Sequence, residues 1–94
     1  MYNNAVKITF DPAKDAANIA KHGISLSEAG SLEWETALIW SDVRKDYGEP
    51  RQSALVLIED SVFFVAFVDR FDERRVISLR KASQREAKQY AANY

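Results

Sequence analysis

Two apolar runs, SALVLIED and SVFFVAFVDR, stand almost end to end in the second half of the chain, and no other feature restricts its fold as much. Neither alternates cleanly between polar and apolar residues, so each reads as a strand buried on much of both faces. The polar break Glu59-Asp60-Ser61 is short enough to join them as a hairpin. FDER supplies the next turn and RRVISL a further strand, which gives an antiparallel meander of three hairpin-linked strands.

The flanking segments must cover such a sheet. Val6 to Phe10 reads as a short first strand, ended by Asp11-Pro12. Asp at an N-cap accepts a free N–H, and Pro at the first helical position has no N–H to leave unsatisfied. The helix so begun runs through AKDAANIAKH and stops at Gly23, a residue suited to a left-handed C-cap. Ser25-Leu26-Ser27-Glu28 has the spacing of a capping box and predicts a second helix to about Trp34. ALIWSD then reads as a short strand and VRKDYGEPR as a polar surface loop. Ser83-Gln84-Arg85-Glu86 is another capping box, and its helix carries Ala87, Tyr90, Ala91 and Tyr94 at i, i+3, i+4 and i+7. In outline the prediction is an α+β domain of order β-α-α-β-β-β-α: a small antiparallel sheet, two N-terminal helices and one C-terminal helix. With the helices on one face, the other face of the sheet is expected to stay open.

A chain of 94 residues has room for one domain, and 47% hydrophobic with 29% charged residues is an ordinary globular balance. There is no cysteine, hence no disulfide framework and no thiolate site. MYNNAVKITF lacks the basic region and apolar run of a signal peptide, and no stretch approaches the length of a membrane helix, so a cytoplasmic protein is expected. A single histidine without clustered carboxylates points away from zinc, and three scattered glycines point away from a phosphate-binding loop; no metal or cofactor is expected.

The formal net charge of −1 hides an asymmetry. From Arg74 to Tyr94 there are six cations, Arg74, Arg75, Arg80, Lys81, Arg85 and Lys88, and one acid, Glu86. An anion would be drawn there. Alternation in the last strand puts Ile77 and Leu79 on one face and Val76, Ser78 and Arg80 on the other, so Ser78 and Arg80 are expected on the open face. Arg80 also lies just before the last helix, where a guanidinium fork and helix N–H groups together suit a phosphate. Arg70 and Arg75 flank the same hairpin. Two roles fit these arginines: anion ligands, or rim charges balanced by Asp69, Asp72 and Glu73. Two also fit His22, beside Lys21 and on the helix that holds Lys14. It either favours the negative end of the helix dipole or moves a proton, histidine being the side chain that ordinarily titrates near neutrality. Tyr90 reads as a core residue with a polar tip, base stacking being its other possible use.

The order FDPAK-DAAN-IAKHGIS, a strand ending in arginine, and RVISLRKASQREAKQY at the end resembles the BrnT family, ribonuclease toxins of bacterial type II toxin-antitoxin modules. The resemblance covers nearly the whole chain. It rests most on Asp11, Lys14, Asn18, Lys21, His22 and Gly23 in one block, and on Arg75, Ser78, Arg80, Ala82, Glu86 and Tyr90 in the other. It implies a RelE-like fold, with RNA received on an exposed sheet face. It further implies metal-independent RNA cleavage, neutralisation by a BrnA-type antitoxin, and contact with DNA only indirectly, through the antitoxin complex. Lys14, Lys21, His22, Arg51, Arg70, Arg75, Arg80 and Tyr90 match family positions assigned to the RNA face or its support, and Lys81 and Arg85 extend the basic segment.

Cleavage without metal requires the RNA 2'-hydroxyl to be oriented, the phosphorane-like charge to be neutralised and the 5'-oxygen to leave. Arg80 and Arg75 are the candidates for the charge, with Arg70 on a neighbouring phosphate. His22 or Lys21 is the candidate for proton transfer, and Ser78 or Tyr90 for orientation. A non-catalytic module of the same fold, binding RNA or a protein partner on the same sheet, is the rival reading.

Overall fold

The computed structural model describes residues 7–42 and 48–93. Val6, Tyr94 and residues 43–47 of the polar loop lie outside the described residues. Five strands form one sheet: β1 (Lys7–Thr9), β2 (Leu38–Asp42), β3 (Arg51–Ile58), β4 (Ser61–Arg70) and β5 (Glu73–Lys81), in the spatial order β1-β5-β4-β3-β2. The helices are α1 (Pro12–His22) and α2 (Gln84–Ala92), with 3-10 helices at Leu26–Ser31 and Trp34–Thr36. None of these helices is long and apolar enough to cross a membrane.

The meander and both ends of α1 form as the sequence predicts. β3, β4 and β5 are antiparallel neighbours, joined by turns at Glu59-Asp60 and Phe71-Asp72. Asp11 caps α1 by accepting from the Ala13 N–H, Pro12 opens it, and Gly23 closes it at φ 73. The capping box of α2 is complete in both directions.

Three expectations need correction. The outline order counted four strands where the sheet has five, each at a segment read as a strand, and the sheet is mixed because β1 runs parallel to β5. The expected second helix is a 3-10 segment: Ser25 Oγ accepts from the Ser27 N–H at 3.1 Å instead of the Glu28 N–H. Asp15 of α1 explains this, since its Oδ1 accepts from both Ser25 Oγ (2.9 Å) and the Leu26 N–H (2.7 Å) and pins the segment's start against the preceding helix. Finally, the sheet is covered on parts of both faces. Leu26, Ala29 and Leu32 of the 3-10 segment and its exit pack with Ala54, Val56, Val65, Phe67, Val76 and Leu79 as the main core. Leu55, Val68 and Tyr90 are buried outside that cluster. Leu55 and Val68 alternate with the core residues of β3 and β4, so they point to the second face. α2, which touches β3 and β4, leans over that face.

α1 occupies a third position, beside the sheet. β1 pairs only with Glu73, Arg74 and Arg75, which leaves the edge of β5 unpaired by any strand beyond them. Asn18 fills the gap: its Nδ2 donates to the Leu79 carbonyl (2.8 Å) and its Oδ1 accepts from the Leu79 N–H (3.2 Å). The same Nδ2 donates to the Ile24 carbonyl (2.9 Å). A buried amide thus satisfies a backbone edge that would otherwise lose its hydrogen bonds.

Candidate functional site

Residues paired across strands project to the same side of a sheet. On β4, Phe64, Ala66, Val68 and Arg70 share the second face, and their β5 partners are Arg80, Ser78, Arg75 and Glu73. Simple alternation cannot place both Arg75 and Ser78 there, because they are an odd number of residues apart. A β-bulge resolves the parity: Ala66 pairs with Ser78 and Phe67 with Val76, so Ile77 has no partner on β4. This overturns the expected grouping of Val76 with Ser78 and Arg80. Val76 is fully buried in the core with Leu79, and Arg75 joins Ser78 and Arg80 instead. On β3 and β2 the same face carries Arg51, Ser53, Trp40 and Asp42.

Between this face and α1 lies a recess of 190 Å³ lined by Lys14, Ala17, Asn18, Lys21, His22, Ile77 and Ser78. Lys14, Asn18, Lys21 and His22 stand at i, i+4, i+7 and i+8, so the stripe that docks Asn18 on β5 also turns both lysines and the imidazole toward Ser78. Neither Lys14 nor Lys21 makes an ion pair with a described acid, so both ammonium groups stand open to an anion.

Arg80 is differently placed from what the sequence suggests. Its guanidinium lies 4.4 Å from the centroid of the Phe64 ring and forms a fork to Glu86, with bonds of 2.8 and 2.9 Å. Glu86 also accepts from the Ser83 N–H in the capping box. Held first by the Arg80 fork and then by Ser83, against the opposing effect of burial, the Glu86 carboxyl is lowered from 4.5 to about 2. The fork expected to receive phosphate is therefore filled by an internal carboxylate.

A second arginine group lies toward the other end of the face. Arg70 forms a fork to Glu49, at 2.6 and 3.1 Å, which lowers the Glu49 carboxyl below its ordinary value and raises Arg70. Arg75 and Arg51 also lower Glu49 through their charges, so three arginines share one carboxylate's surroundings. The Arg75 Nε is buried and has no hydrogen-bond partner, Glu73 being 3.9 Å away.

The remaining expected residues fall elsewhere. Tyr90 is buried, its hydroxyl donating to the Thr36 carbonyl at 3.0 Å, so its ring supports the fold and offers no face to a base. Lys81 pairs with Phe63 and projects to the opposite side from Arg80. Arg85 is exposed on the first turn of α2, away from the recess lining. Arg74, part of the basic segment, is structural: it bonds Asp69 at 2.7 and 2.9 Å and lies 4.6 Å over Trp34 and 4.4 Å over Phe67. Sequence reasoning passed over Glu49, counted Asn18 only among the residues of the family resemblance, and grouped Ile77 with Leu79 instead of at a bulge. The spacing of Asn18 from Lys14 and His22 was the one available signal.

A family model described as the ribonuclease toxin, BrnT, of type II toxin-antitoxin systems matches residues 10–86. Among solved structures, the chain is similar to the crystal structure of the Brucella abortus ribonuclease toxin, BrnT. The two are 29% identical with a TM-score of 0.65, over 85% of this chain and 100% of that one. No curated protein matches the chain.

Proposed function

Given that the chain belongs to the BrnT family of ribonuclease toxins, we propose that it cuts single-stranded RNA in the recess between α1 and β5, without a metal ion. The observation that carries this reading is the convergence of Lys14, Lys21 and His22 with Ser78 in one recess, next to a sheet face lined by Arg75. In the proposed reaction the 2'-hydroxyl oxygen bonds to the adjacent phosphorus and the bond from phosphorus to the 5'-oxygen breaks. A 2',3'-cyclic phosphate and a 5'-hydroxyl end result. His22 takes the 2'-hydroxyl proton, and an ammonium proton from Lys21 accompanies the departing 5'-oxygen. Arg75 and Lys14 stabilise the charge that grows on the phosphoryl oxygens, and Ser78 orients the phosphate. Arg80, already bound by Glu86, contributes by fixing β5 to α2 and so holding Ser78 in place.

Purified protein incubated with RNA in EDTA is expected to give products with 2',3'-cyclic phosphate ends. Lys21→Ala and His22→Gln, at the last two positions of α1, should each lower the rate by about 10²-fold while the melting temperature holds. Cleavage that stops in EDTA, or that survives both substitutions, overturns the mechanism.

A type II toxin-antitoxin family also implies an antitoxin partner. The proposed partner is a BrnA-type protein that covers the arginine-bearing face with carboxylates and carries the complex to DNA.

A further inference from the structure

Val68 lies at the centre of the arginine group. Val68 pairs with Arg75 on one side, continuation of the β3 register past Gln52 and Phe67 brings Arg51 opposite it on the other, and Arg70 follows two residues along the same face. Three guanidinium groups on neighbouring strands is an arrangement that repels itself unless an anion sits among them. Glu73 flanks the group 3.9 Å from Arg75 and Asp42 stands opposite Arg51, and the anion held by a fork is the carboxylate of Glu49, bound through both oxygens to Arg70. Glu49 comes from the polar stretch just before β3, and it is exposed, so it can leave without opening the core. Arg75 meanwhile keeps a buried Nε–H without an acceptor. A carboxylate spends both oxygens on the Arg70 fork, whereas a phosphate, with more oxygens arranged tetrahedrally, keeps acceptors for a neighbouring guanidinium.

We propose that Arg70 and Arg75, with Arg51 beside them, form a second phosphate subsite for the RNA backbone, and that Glu49 occupies it as an internal stand-in until a phosphate displaces it. This rests on the proposed RNA-cleaving reading and extends it: the strand cut in the recess at Ser78 continues along the sheet face to this subsite. Glu49 then sets a threshold on binding. A lone anion gains little by replacing a carboxylate already in place, whereas a strand anchored in the recess delivers its next phosphates at high local concentration.

The test uses a short 2'-O-methyl RNA, which cannot be cleaved, and reads its affinity over a range of salt. Glu49→Gln is expected to tighten binding about two- to fivefold, the scale of one exposed ion pair. It should also steepen the dependence of log K on log salt by about 0.7, the increment for one further phosphate contact on a single strand. Adding Arg70→Gln to Glu49→Gln should abolish both gains. Unchanged affinity and slope in Glu49→Gln, or gains that persist in the double variant, overturn the subsite. Cleavage of ordinary RNA by the wild type, followed separately, tells the two ideas apart. Cleavage with an inert Glu49 leaves the recess reading standing and the subsite lost; tightened binding without any cleavage does the reverse.

Discussion

Glu86 shows how one side chain can serve two elements at once. It completes the α2 capping box with Ser83 and grips Arg80 on β5, and the second contact lowers its carboxyl to about 2. A carboxyl whose folded-state value lies below its unfolded value stabilises the fold above the unfolded value and loses that contribution as pH falls through the folded one. The stabilisation from Glu86 is therefore complete above about pH 4.5 and is lost toward pH 2. Glu86→Gln is expected to cost about 1–2 kcal/mol at pH 7, allowing for solvent screening of a partly exposed pair. It should also flatten the acid limb of the stability curve between those values. Urea melts across that range check both, and an unaltered acid limb would show that the fork contributes nothing. The sequence made the capping box visible through its spacing. It could not make the Arg80 fork visible, because Arg80 to Glu86 is a contact between a strand and a helix whose mutual angle no local pattern states.

At the scale of elements, boundaries were legible wherever a local chemical rule set them: Asp11, Pro12 and Gly23 around α1, Ser83 at α2, and the polar break between β3 and β4. They were misread where a distant residue intervened. Asp15 reaches across to Ser25 and Leu26 and turns an apparent capping box into the start of a 3-10 segment. The bulge at Ile77 is the second such case, since an extra residue in one strand is defined only by its neighbour's register. Its effect is to let Val76 and Leu79 both face the core while Arg75, Ser78 and Arg80 face out. Deleting Ile77 removes the extra residue and leaves Arg75, Val76, Ser78, Leu79 and Arg80 in strict alternation on the faces they already occupy. The expected cost is only about 1 kcal/mol, the scale of losing one half-buried aliphatic side chain. A urea midpoint equal to that of the wild type would show the bulge to be dispensable.

For the whole molecule, family membership and the ribonuclease-toxin character of the family were within reach of sequence, through two spaced blocks of residues, of which the first and Ser78 of the second meet in the recess. The parallel closure by β1 was not, because a three-residue strand carries too little pattern to reveal its direction. If a protein partner silences the site by covering it, hydrogen exchange should slow in β4 and β5 over residues 68–82 when the antitoxin binds. Protection limited to α1 and the 3-10 segments would place the partner elsewhere.

The Asn18 amide meets the backbone of Leu79 across 61 residues of chain. During synthesis α1 emerges long before the strand edge it needs, and β1 waits equally long for β5. The recess has no wall of its own until the last strand has left the ribosome. On the proposed reading a nascent chain lacks the cleaving recess, and any transcript truncated before β5 yields a product without it. Assembly from both ends of the chain makes completeness of the protein a condition for having the recess at all.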